Sequence, residues 1–174
     1  PLYNDGVFNG GDGAGTSFSI SGHTADSTHY VRMFAPSSSS EVGTSQRHTG
    51  KEGTGVVIKP TIAVSGDYAF INTIDAFTRI VGIELDGSGI TQGRSIRGIN
   101  VINQSPRIEG CLIHDFTNST ADDTAVRVVM GIDNVYALAI EEISNTVIYD
   151  IKNISTNATS QAYGLHILTG TTYS

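Results

Sequence analysis

The chain of 174 residues has no tryptophan, two methionines, four prolines and a single cysteine. With Cys111 alone, no internal disulfide can form. One Cys and five scattered His build no zinc site, so no bound metal is expected. Cys111 falls in an apolar phrase, which reads as a buried small hydrophobe rather than a nucleophile. No apolar run approaches the ~20 residues that a membrane-spanning helix needs, so no membrane insertion is expected. Basic residues are few, 10 against 17 acidic, and the net charge of −7 argues against a nucleic-acid partner. No segment carries apolar residues at helical spacing, so the connections between elements are not expected to be helices.

What is abundant points one way. Ile occurs 20 times against 6 Leu, and Thr 19 times. Both Ile and Thr branch at Cβ, which disfavours helix and suits a pleated strand. Gly, Ser, Thr and Asn together make 67 residues, the mix that builds turns. An all-β chain of many short strands follows. There is no start Met and no leader, and the chain stops just past a strand-like "YGLHI", which reads as a processed or partial chain of something longer.

The sequence repeats itself. "IEGCLIHDFTN" (108–118) and "ISNTVIYDIKN" (143–153) align without a gap, 35 residues apart. A shorter phrase of Ile, any residue, Gly, apolar, any, apolar occurs as "IVGIEL" (80–85), "IRGINV" (96–101) and "IEGCLI" (108–113), with "ISNTVI" (143–148) and "AYGLHI" (162–167) as looser copies. Alternating apolar residues have strand period, and the Gly or Asn supplies a bend. Strands joined by turns stack coil on coil, each pairing with the next at about 4.8 Å. The expected fold is therefore a right-handed parallel β-helix. Residues 1–55 form its opening coil with long loops and 56–174 its stacked coils, with Ile83, Cys111 and Ile148 inside. Asp115 and Asp150 close the same strand in successive coils and are expected to cap turns.

The run "GVFNG…SFSISG…GTGVVIKP…AVSGDYAFINTID…TRIVGIELDG" resembles the opening coils of pectate-lyase-like right-handed β-helix proteins, and "IEGCLIHD" resembles their "I-x-N-C-x-I-x-D/N" coil. "YNDGVFNGG…RHTGKEGTGVVI" is similar to a β-helix module of phage appendage and marine environmental extracellular proteins. The resemblance spans nearly the whole chain and implies fold rather than activity, because enzymes, tailspikes, adhesins and inert fibres share it. Lyases of this architecture use acidic residues that hold calcium with an Arg or Lys base, and hydrolases use paired carboxylates. The residues offering such chemistry are Asp86, Asp115, Asp122, Asp123 and Arg127, with Glu84, Glu141, Glu142, Arg94 and Arg97 nearby in sequence. None matches a catalytic signature of pectate lyases, and turn capping or plain solvation accounts for them better. "NGGDGAG" (9–15) is like a Gly-Asp calcium nonapeptide, but one copy cannot build the stacked site, so no cofactor is expected.

Leu112, Val147, Tyr149, Tyr136, Leu138 and Ile140 fall on outward positions of their strands, and apolar residues there need a cover. A loop of the same chain or a second subunit would supply it, or the aromatic residues form a sugar-binding surface. Asn118, Asn153 and Asn157 head glycosylation sequons in loops expected to lie along one edge. These readings combine into a non-enzymatic structural or adhesive module of an extracellular appendage, filament or virion fibre, associating with copies of itself. The alternatives are a tailspike-type polysaccharide lyase or hydrolase and a carbohydrate-binding adhesin.

Overall fold

The computed structural model describes residues 1–9, 16–38, 45–63, 66–91, 95–118, 126–134, 140 and 142–168. The chain makes four successive passages. The first gives β1 (Thr16–Ile20), β2 (Val31–Phe34), β3 (Val57–Ile58) and β4 (Ile62–Ala63). The second gives β5 (Tyr68–Thr73), β6 (Thr78–Val81), β7 (Glu84–Asp86) and β8 (Ile90–Thr91). The third gives β9 (Ser95–Val101), β10 (Arg107–Glu109), β11 (Leu112–His114) and β12 (Thr117–Asn118). The fourth gives β13 (Val128–Asn134), β14 (Glu142–Ser144), β15 (Val147–Tyr149) and β16 (Lys152–Asn153), and β17 (Gln161–Ile167) follows.

Strands that hold the same place in successive passages pair in parallel. Sheet I has the order β1-β5-β9-β13-β17, sheet II β14-β10-β6-β2 and sheet III β15-β11-β7-β3, with two-stranded pairs β4-β8 and β12-β16. The fold is all-β with parallel sheets. Among the described residues the one helical segment is a 3-10 turn at Gly87–Gly89. No helix among them is long and apolar enough to cross a membrane. The stacking begins well before Val56, since β1 and β2 already pair with β5 and β6.

The register turns the repeated phrases into ladders. Met33, Ile80, Ile108 and Ile143 align across sheet II. Ile58, Leu85, Ile113 and Ile148 align across sheet III. Phe18, Ile71, Ile99, Ile132 and Leu165 align across sheet I. Their inner members form the core: Ile58, Ile71, Ile80, Ile99, Ile108, Ile113 and Ile132 are wholly buried, as is Ile83 between sheets II and III, with Cys111 nearly so and Ile148 packed against them. Burial pushes the Cys111 thiol up to about 11, so it is an inert filler at neutral pH.

The shared phrase does two different jobs. Between sheets II and III, Gly82, Gly110 and Asn145 have φ of +70°, +59° and +49°, so Asn replaces Gly where the chain turns left-handed. "IRGINV" and "AYGLHI" instead run straight along sheet I, as β9 and β17. There Gly98 and Gly131 are needed for lack of space. A Cβ on Gly98 would stand 2.4 Å from the Gly131 carbonyl oxygen, and one on Gly131 2.6 Å from that of Gly164.

Candidate functional site

Sheet III turns Leu85, Ile113 and Ile148 to the core and the alternate side chains away from it. Pairing puts those alternate residues in two rows: Glu84, Leu112 and Val147 in one, Asp86, His114 and Tyr149 in the other. Val147 is exposed, but Glu84, Leu112 and His114 are each 1–2% exposed. Their cover is a strap, residues 46–56, from the same chain. It is anchored where the Gly53 N–H donates to both Glu84 oxygens, at 2.9 and 3.0 Å. His48 Nε2 donates to the Gly110 carbonyl at 2.7 Å, and the Tyr149 hydroxyl donates to Glu52. Leu112 is thus buried within its own chain, which removes it from the residues available to a partner.

His114 is the centre of this face. Its Nε2 lies 3.2 Å from Glu84 Oε1 and its Nδ1 2.9 Å from Asp115 Oδ2. Its ring stacks on Tyr149 at 5.1 Å and 6°. Burial alone would lower the imidazole pKa. The bonds to Glu84 and Asp115 and the charges of Asp86 and Glu84 outweigh that and push it up to about 9. The Tyr149 hydroxyl is raised, first by burial and then by the Glu52 carboxylate it bonds. Asp115 reaches back to His114 because its own φ is +58°, and Asp150, its repeat partner, has +52°. The two aspartates share a left-handed backbone that Asp tolerates better than most residues.

Asp86 bonds Lys59 Nζ at 2.7 Å and accepts the Ser88 N–H at 2.9 Å. Burial works to raise its pKa, but Lys59 and Ser88 together hold it below 3.8. A depressed folded pKa gives stability that is complete above the unfolded value and lost as pH falls through the folded one. Lys59→Met should therefore make acid unfolding, followed by circular dichroism, begin at higher pH. Coincident acid transitions for the two proteins would show that the pair contributes nothing.

The remaining sequence candidates scatter. Arg127 is buried ahead of β13. Its N–H donates to Ser160 Oγ at 2.9 Å, and its carbonyl accepts from Gln161 N and Asn153 Nδ2. Asp122, Asp123, Tyr136, Leu138, Arg94, Glu141 and all but the first residue of "NGGDGAG" lie outside the described residues. Ile140 is half-buried. Asn118 is wholly buried in β12, leaving no room for a glycan on its amide. Asn153 donates its amide to the carbonyls of Arg127 and Gln161 at 2.7 and 2.9 Å. Asn157 accepts from the Thr159 N–H and hydroxyl. The last two act as turn braces where they stand.

Sequence reasoning missed Glu52 and Lys59, which reach the face from 62 and 27 residues before His114 and Asp86, and no local pattern signals either. It also missed a second cluster on sheet I. There the wholly buried Asp133 bonds Arg97 Nε at 2.6 Å and His166 Nδ1 at 2.8 Å. The parallel register that aligns Asp133 with His166 makes this cluster. Compared with known proteins, the chain matches no family model, no curated protein and no solved structure.

Proposed function

We propose that the four passages are coils of a right-handed parallel β-helix and that the chain is a non-enzymatic structural module of an extracellular appendage, filament or virion fibre. The observation that carries this reading is the edge left by the fourth passage. Among the described residues no strand pairs with the far side of β14, β15, β16 or β17. The same edge region exposes Val147, Ile154, Leu165, Ile167 and Leu168, each between 44 and 54%. An open row of N–H and C=O groups beside apolar side chains invites further strands. Each such side chain that becomes fully buried gains ~1.5–3 kcal/mol. Either further coils of the same protein or a second copy of the chain, stacking on this edge, would supply those strands.

The closed state of the His114 face supports a structural role over a catalytic one. A general acid or base must reach the proton it moves; Glu84 is buried beneath the strap, and both ring nitrogens of His114 are already bonded to carboxylates. Sedimentation velocity over a wide concentration range tests the reading. Self-association is expected, and Leu165→Asp should shift the chain to monomer with its circular dichroism unchanged. A monomer at every concentration would overturn the assembly. Release of reducing or unsaturated ends from a polysaccharide would overturn the non-enzymatic assignment and favour a lyase or hydrolase.

A further inference from the structure

We infer that His114, Asp115 and Glu52 form a binding site for one first-row divalent metal ion of the zinc type, at the mouth of the strap. One ligand atom from each of the three lies within 4.8 Å of the other two. The donor set is one imidazole nitrogen and two carboxylates, contributed by β11, the residue after it and the strap. A count of Cys and His in the sequence overlooks it because two of its three ligands are acids.

The three groups stand close enough to share one ion. His114 Nδ1 and Asp115 Oδ2 are 2.9 Å apart. Two ligands held ~2.1 Å from one tetrahedral ion are separated by about 3.4 Å, so the pair need open by only about half an ångström. The ion would take the place of the proton between them. The other ring nitrogen is already committed, since Nε2 faces the buried Glu84 carboxylate at 3.2 Å. A carboxylate behind an imidazole fixes the tautomer that points the free nitrogen at a metal and raises its basicity. Stacking on Tyr149 fixes the ring plane. Glu52 has one oxygen bonded by the Tyr149 hydroxyl and a second oxygen for the ion. Asp86 is occupied by Lys59, so it stays outside the set.

The donors also select the ion. Calcium takes six to eight oxygens, and the buried nitrogen at the centre of this set works against it. Imidazole with carboxylates suits zinc and its neighbours. Entry is from solvent, because Glu52 is exposed and the Asp115 side chain is 37% exposed while His114 forms the floor.

Isothermal titration of the whole chain with zinc chloride is the test, with Glu52→Gln and Asp115→Asn as variants. Glu52→Gln keeps an oxygen that accepts the Tyr149 hydroxyl, and Asn tolerates the left-handed backbone at 115 while giving up one charge beside His114. One ion per chain is expected, with affinity at least tenfold weaker in each variant and unchanged metal-free melting for Glu52→Gln. Cobalt substitution should give visible absorption that both variants lose. Absence of saturable binding overturns the site. Binding that both variants leave intact overturns it too, and moves the ion to another histidine such as His23 or His29. Calcium binding as tightly as zinc would refute the assignment of the donors.

Discussion

Glu84→Ala should be the most damaging single change on the outer face of sheet III. The carboxylate is 1% exposed and holds three bonds: two from the Gly53 N–H and one from His114 Nε2. Its removal strands a buried imidazolium and a backbone donor at once. Breaking a buried charge pair on one side costs ~3–5 kcal/mol. For a chain of this size that is a fall in Tm of roughly 6–20 °C. Glu84→Gln keeps an acceptor for both donors and should cost clearly less. Calorimetry on the two variants separates the readings. Equal and small losses would mean that the strap does not depend on this carboxylate.

Gly131→Ala should follow it in size. The added methyl would stand 2.6 Å from both the Gly164 carbonyl oxygen and the Ile148 Cγ2 methyl. A carbonyl in a parallel ladder cannot rotate away without breaking its bond, so sheet I must move. Overpacking of this kind costs ~1–3 kcal/mol and sometimes more. Gly110→Ala is the control. Its φ is +59°, but the nearest atom to an added Cβ is 3.9 Å away, at the end of the Arg47 side chain. That change carries only a backbone penalty of ~1–2 kcal/mol. A urea midpoint for Gly131→Ala no lower than that for Gly110→Ala would show that sheet I yields easily at this point.

These two glycines mark where sequence reading succeeded and where it stopped. The phrase around Ile80, Ile108 and Ile143 was legible because alternation and the spacing of Ile survive in the chain, and the structure aligns those residues in one row. The exchange of Gly110 for Asn145 was legible because both tolerate positive φ. "IRGINV" and "AYGLHI" carry the same letters, yet their glycine is set by the neighbouring strand's carbonyl, a contact that no local pattern records. The site divides in the same way. Asp115 and Asp150 were legible as a repeated strand end, though their left-handed backbone was not. His114 reads locally as an outward strand residue. It is buried because Glu52 and Gly53 arrive from far upstream to close over it.

The strap has a consequence for how the chain comes apart. Stacked strands touch only the passages beside them, and such arrays can lose their ends one unit at a time. Here residues 46–56 reach ahead to Glu84, Gly110 and Tyr149, over separations of 31, 62 and 97 residues, and so touch the second, third and fourth passages together. A zip with a bar laid across its teeth cannot open tooth by tooth. Fraying from β15 toward β7 must first release the strap, so the interior passages should exchange their amide hydrogens through one shared opening rather than through a gradient along the stack. Assembly pays the mirror-image toll. The bar cannot close until the last tooth is in place, and contacts of such long range slow the search for the native state.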